Sequence, residues 1–260
     1  MSAAGETTRV VLTERREGVL TITLNRPAQK NAVNHELAVE LAAALQLLDT
    51  DPEISVGVVT GAGGTFCAGM DLKAFAAGEV PTLPEGGFGG LTRAVVRKPL
   101  IAAVEGWALG GGFELALACD LIVAAQDARF GFPEVKRGLV ASEGGLVRLP
   151  RRIPYHVALG VLLTGDPLTA AAASEHGLVN ALTAPGDALD KACELAARVA
   201  VNAPLALAAA KEIVRTTQAL DDRSAFERQD RIVSGLLTSE DVREGARAFA
   251  EKRAPVWRGR

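Results

Sequence analysis

Between Gly18 and Leu24 the chain reads GVLTITL, with branched apolar side chains alternating with threonines. Alternation with period two predicts a strand with one buried face, and Val10–Arg15 supplies its pairing partner. Asn25-Arg26-Pro27 stops that strand. From His35 to Leu48 the apolar positions fall at helical spacing, with Asn34 placed as an N-cap. Ser55–Thr60 reads as a further strand, ending in the turn Gly61-Ala62-Gly63-Gly64. Glycine and proline thicken from Ala76 to Gly90, which predicts a long exposed loop. Leu100–Val104 and Leu121–Ala124 are wholly apolar, as strands buried on both faces are. Beyond Asp166 the period turns helical, over Thr169–His176, Asp187–Val201, Pro204–Thr217, Asp221–Leu237 and Ser239–Lys252. Pro204 suits a first helical turn and Ser239 a cap.

Strands and helices that alternate early and give way to helices late predict an α/β fold. Its expected parts are a core over residues 1–199 and a helical region over 200–260 that packs on a neighbouring copy. A chain of 260 residues can bury a sizeable core without disulfide or metal staples. The formal net charge of −3 gives no electrostatic case for nucleic acid or a membrane surface. An aromatic content of 4% is too low for a base-stacking platform. Cys67, Cys119 and Cys193 are an odd number at no metal-ligand spacing, and read as reduced thiols of a cytoplasmic protein. The N-terminal MSAAGETTRV holds no apolar signal core, and no apolar run reaches the roughly 18 residues of a membrane span.

Candidate chemistry concentrates in AVEGWALGGGFELALACD, residues 103–120. Gly110, Gly111 and Gly112 open a helical pattern, so main-chain N–H groups stand bare where the helix dipole is positive. Glu114 follows in the first turn, and Glu134 lies in the next segment, FGFPE. Donors for a developing anion beside carboxylates that can move protons point to carbonyl or thioester chemistry. A second donor is expected from Phe66–Leu72, small residues ahead of a helical stretch. The plainer readings stay open at this level. The glycines can serve tight packing, each glutamate can simply stabilise a helix dipole, and Glu105 and Glu143 compete for acid–base work.

Other constellations carry less. Gly61-Ala62-Gly63 begins like a dinucleotide-binding turn, but Phe66 occupies the third glycine position, so a plain turn is the reading. No Walker-type loop is present. His35, His156 and His176 are too scattered for a triad or a metal site, and Cys67 has no activating base nearby in sequence. The basic groups, among them Arg93, Arg97, Arg148 and Arg152, read as solvated faces, any one of which could meet a ligand phosphate.

Taken together, TLNRPAQKNAVN (23–34), VVTGAGGTFCAGMDL (58–72), KPLIAAVEGWALGGGFELALACDLIVA (98–124), ARFGFPEVKRGL (128–139), LLTGDPLTAAAASEHGLVN (162–180) and FAEKRAPVWRGR (249–260) resemble the crotonase superfamily, the enoyl-CoA hydratase/isomerase family. The likeness covers nearly the whole chain. It implies a spiral of ββα units with C-terminal helices that build trimers, often paired into hexamers. It also implies an acyl-CoA thioester substrate and no metal or redox cofactor, coenzyme A being part of the substrate. By position, the N–H groups of Met70 and Gly111 become the oxyanion donors. Ala68, Met70, Asp71, Leu72, Lys73, Gly110 and Gly111 line the thioester and its CoA, and Glu114 and Glu134 become the two catalytic acids. Isomerases of the family commonly keep one of these, so the pair favours hydration of a trans-2-enoyl-CoA to a 3-hydroxyacyl-CoA. Glu114 is then the water's base and Glu134 the proton donor to C2. A delta-isomerase, a carnitinyl-type dehydratase and a non-catalytic acyl-CoA binder are the alternatives. One stretch departs from the pattern: Ala141-Ser142-Glu143-Gly144-Gly145 stands where many hydratases carry Pro-Gly-Ala-Gly-Gly. There Ser142 offers a main-chain N–H to a water, and Glu143 brings charge near the site.

Overall fold

The alternating segment forms β2 (Val19–Leu24), paired antiparallel with β1 (Val11–Arg16). After it come α1 (His35–Thr50), β3 (Val56–Gly61), α2 (Leu72–Ala76) and a short hairpin of β4 (Thr82–Leu83) and β5 (Gly87–Phe88). The middle of the chain is β6 (Leu100–Val104), β7 (Trp107–Leu109), α3 (Gly111–Ala118), β8 (Leu121–Ala125), β9 (Arg129–Gly131) and a 3-10 turn over Pro133–Arg137. Then follow α4 (Gly145–Arg148), α5 (Tyr155–Thr164), β10 (Leu168–Thr169), α6 (Ala170–Glu175) and β11 (Ala181–Thr183). Helices α7 (Ala188–Ala200), α8 (Pro204–Thr217), α9 (Asp222–Leu237) and α10 (Glu240–Glu251) end the chain. This computed structural model describes residues 9–260; most of the N-terminal stretch expected to lack a signal core lies outside them.

Six strands make the main sheet in the order β1-β2-β3-β6-β8-β11, parallel throughout except for the β1–β2 hairpin. α1 covers one face: Leu37, Leu41, Leu45 and Leu48 recur at helical spacing and are buried with Leu20, Ile22, Leu24 and Val59. Each such side chain contributes about 1.5–3 kcal/mol of burial. The Asn34 side chain accepts from the Leu37 N–H at 3.1 Å, the predicted cap. On the other face Val56, Val58, Ile101, Ala103 and Val123 meet the small side chains of Ala192 and Ala196 on α7.

Three times the chain leaves this sheet, makes a short crossing segment and enters a helical turn. The first pass is β3, an isolated bridge at Cys67 and α2; the second is β6, β7 and α3; the third is β8, β9 and the 3-10 turn. The crossing segments align in one row, Cys67 opposite Ala108 and Ala108 opposite Phe130. Three residues beyond that row stand Met70, Gly111 and Pro133, each at the threshold of its helical turn. A spiral of ββα units is therefore also a device for bringing three turn entrances to one place.

The segment expected to be a long exposed loop is exposed only in its first half. From Gly87 to Leu91 it is buried, because Phe88 packs over the start of α3 and the glycines permit close approach. Strands β7, β9, β10 and β11 have only two or three residues, too few for a hydrophobic period to register. The C-terminal helices match the pattern closely, and Ser239 caps α10 by accepting from the Val242 N–H at 3.2 Å. α8 and α9 bury no residue within this chain. Among the described residues no single helix is long and apolar enough to cross a membrane.

Candidate active site

Two loops meet where α3 begins. A β-carbon on Gly69 would lie 2.8 Å from the Leu109 carbonyl oxygen and 3.4 Å from the Gly111 nitrogen. One on Gly112 would lie 2.2 Å from the Cys67 carbonyl oxygen. Only glycine allows backbones this close. The Val33 N–H donates to the Gly69 carbonyl at 2.8 Å and the Asp71 N–H to the Val33 carbonyl at 2.9 Å. That pairing skips Met70, whose N–H has no protein acceptor among the described residues. The Gly111 N–H, first of α3, has none either, and both stand in the positive field of a helix start.

Asp71 holds its own loop in place. Its carboxylate caps α2, accepting from the Lys73 and Ala74 N–H groups at 3.1 and 3.2 Å, and pairs with Arg26 at 2.9 Å. Burial works against its charge, but the Ala74 amide, the Arg26 guanidinium and the Lys73 amide hold the carboxyl below the usual range. Ala68 is half-buried in the same loop, while Leu72 and Lys73 lie exposed at its margin.

Glu114 is 3% exposed on the first turn of α3. One oxygen, Oε1, accepts from the Glu143 N–H at 2.7 Å and the Gly145 N–H at 2.8 Å. The other has no protein partner among the described residues. Burial pushes this carboxyl up to about 7, against the pull of the Gly145 and Glu143 amides and with added repulsion from Glu134 and Glu143. Glu134 sits in the first turn of the 3-10 segment after β9. Its Oε2 is buried with no partner among the described residues, and Oε1 would lie 2.9 Å from a β-carbon on Gly110. Gly110 has φ +55° and ψ −127°, a conformation glycine adopts without strain. Burial raises the Glu134 carboxyl too, with its own main-chain N–H and Arg137 pulling the other way.

The structure thus gathers Met70, Gly110, Gly111, Glu114 and Glu134 from three successive turn entrances, and it engages the competing carboxylates elsewhere. Glu105 accepts from the Gly186 and Ala188 N–H groups at 3.0 and 2.9 Å, serving the start of α7. Glu143 commits its carboxylate to Phe88, Thr92 and Arg93. The cradle of Glu114 uses the amides of residues 143 and 145, not that of Ser142, and the sequence pattern gives no sign of Phe88 over Gly111. Cys67 is fully buried, its thiol raised to about 12 by that burial, and is no nucleophile at neutral pH. Among the described residues no three His, Cys, Asp or Glu side chains gather to hold a metal ion.

Residues 14–260 match the profile of a family described as enoyl-CoA hydratase/isomerase. The chain is 43% identical over 257 residues to an enoyl-CoA hydratase of Mycobacterium tuberculosis, covering 96% of each. It is 45% identical over 252 residues to a carnitinyl-CoA dehydratase of Salmonella arizonae, covering 93% of this chain and 95% of that one. A crystal structure of an enoyl-CoA hydratase from Mycobacterium tuberculosis superposes with a TM-score of 0.95 at 53% identity, over 97% of this chain and 100% of that one. The spiral fold and the match along nearly its whole length place this chain in the enoyl-CoA hydratase/isomerase family.

Proposed function

We propose that this protein adds water reversibly across the 2,3 double bond of a trans-2-enoyl-CoA, giving a 3-hydroxyacyl-CoA. The observation that carries the reading is a buried and a half-buried carboxylate, both raised in pKa, beside two main-chain N–H groups with no acceptor among the described residues. Water attack at C3 sends electrons through C2 onto the thioester oxygen. The N–H groups of Met70 and Gly111 hold that oxygen as it becomes an anion. Glu114 takes a proton from the attacking water and Glu134 gives one to C2, so the pair keeps one proton throughout.

The electrostatics add a direction. Burial, with added repulsion from Glu134, raises Glu114 to about 7, so a form with Glu114 protonated is accessible near neutral pH. That form suits removal of water: Glu134 takes the C2 proton and Glu114 protonates the departing hydroxyl. Addition starts from the swapped form, which has the same total charge. The reaction needs no cofactor besides the CoA that the substrate carries. Cys67, Cys119 and Cys193 are free thiols, which supports a cytoplasmic setting. Exposed Val214, Phe226, Leu237 and Phe249 on helices of the 200–260 region support a homotrimer or dimer of trimers.

The test is turnover on a panel of enoyl-CoA and 3-hydroxyacyl-CoA esters, followed by loss of the conjugated-thioester absorbance. Glu114→Gln and Glu134→Gln should each cost about 10²–10⁴ in kcat; full rate in both would remove the proposal. Carnitinyl-CoA dehydration is a second reading, favoured by the similarity to such an enzyme. It asks for a group to receive a quaternary ammonium, and the Glu143 carboxylate is already engaged by three donors. The same panel decides it.

A further inference from the structure

Glu114 owes its orientation to two amides in a stretch that has little of its own to hold it. Residues 143–145 are Glu-Gly-Gly, and two glycines leave a backbone with wide freedom. Of the three, only Glu143 carries a side chain that can anchor the turn. Its carboxylate is largely buried and makes three contacts with one neighbouring segment. Oε2 accepts from the Phe88 N–H and the Thr92 hydroxyl, both at 3.2 Å, and Oε1 from Arg93 at 3.1 Å. Arg148 closes the same clasp from the far side, donating to the Thr92 carbonyl and, at 3.3 Å, to the Glu143 carbonyl.

The clasped segment touches the other half of the site. A β-carbon on Gly111 would lie 2.4 Å from the Phe88 ring, and one on Gly89 would lie 3.0 Å from Leu115 of α3. Phe88–Thr92 therefore packs on the helix that supplies both the Gly111 N–H and Glu114. We propose that Glu143 is a positioning residue for Glu114: its carboxylate clasps Phe88–Arg93 and so fixes its own main-chain N–H, and that of Gly145, on Glu114 Oε1. Through Phe88 the same clasp sets the Gly111 N–H, so one side chain registers the proton-moving group against the oxyanion donor. A small residue at this position would leave the glycine turn to find its place unaided.

This inference rests on the hydratase reading for its kinetic consequence, but not for its structural one. Glu143→Ala removes the clasp and the charge; Glu143→Gln removes the charge and keeps an oxygen for the Phe88 N–H and the Thr92 hydroxyl. Ala should lower kcat about 10-fold or more with KM changed less than about threefold, and Gln should restore most of that loss. The charged groups bearing on Glu114 are Glu134, Glu143 and Arg148. Both variants lack the Glu143 charge, so the difference between them reports the amides alone. The upper limb of the kcat/KM profile should lie at higher pH in Ala than in Gln, because lost amide bonds no longer favour the ionised form.

Hydrogen exchange over residues 86–93 and 142–146 gives a readout independent of turnover, with protection lost in Ala and kept in Gln. Equal kcat, equal limbs and equal exchange in the two variants would overturn the proposal. Should Ala fail to fold, Thr92→Val gives the same readings through the loss of one clasp bond, smaller in size and overturned by no change. A wild-type protein inactive on every ester would sink the hydratase reading, and exchange would still decide the clasp.

Discussion

Glu114 and Glu134 reach the same place from unlike surroundings. Glu114 grows from a regular helix, is almost wholly buried, and has one oxygen fixed by two amides from a distant turn. Glu134 grows from a 3-10 turn, is half-buried, and has a buried oxygen with no partner among the described residues. A carboxylate held on one side and open on the other keeps its geometry through proton loss and gain. One with an unmet oxygen is poised to bind a water or to shed its charge. The difference teaches that the two acids are tuned mainly by separate pieces of chain, with their mutual repulsion the shared part, so disturbing one surrounding should act chiefly on its own acid.

The largest disturbance short of removing a carboxylate is Gly110→Ala. Its β-carbon meets Glu134 Oε1 at 2.9 Å, and φ +55° with ψ −127° suits no side chain. We expect kcat to fall by about 10²–10³, the scale of losing an oxyanion donor, because Gly111 moves with its neighbour. Binding of a saturated acyl-CoA, measured calorimetrically, should weaken far less.

Next comes pH. In the proposed mechanism the pair works with one proton shared, so kcat/KM should follow a bell whose upper limb lies near pH 7 in both directions of reaction. A rate that climbs steadily through pH 8 would break the idea that a protonated Glu114 takes part. Stability gives the matching sign. A folded-state value of about 7 against an ordinary 4.5 means this site favours folding fully below pH 4.5 and loses that contribution as pH rises through 7. Glu114→Gln should therefore melt higher than wild type at pH 8, by a few degrees. The gap should close toward pH 5, as read by calorimetry.

The smallest effect separates the two acids. Arg137 lies on the Glu134 side and holds that carboxyl down; it is no neighbour of Glu114. Arg137→Ala should raise the lower limb of the bell by less than about one pH unit and leave the upper limb in place. Movement of both limbs together would show that the two surroundings are not independent.

Much of this site was legible in the letters. The glycine run opening α3, the small-residue loop around Met70 and the glutamates at 114 and 134 are local features, and local features report themselves in sequence. The Glu114 cradle was not legible. It joins residues 114, 143 and 145 through main-chain N–H groups, which every residue but proline carries, so no residue type marks them. Phe88 was hidden for a related reason: its glycine-rich surroundings spell a loop, and only the neighbouring α3 reveals that the loop is buried.

Sequence alone determined α1, the helices beyond Asp166, the long strands, the Asn34 and Ser239 caps and the α/β character, because periodicity and capping act over a few residues; α5 (Tyr155–Thr164), apolar on most of its faces, escaped it. It also limited the chemistry, through the absence of surplus charge and of any metal-ligand spacing. Tertiary structure decided which glutamates were brought together, how far burial raised them, and which main-chain N–H groups lost their acceptors. Those outcomes depend on burial and on contacts between turn entrances far apart in the chain, and the free energies of desolvation and mutual repulsion exist only once the spiral has closed around them.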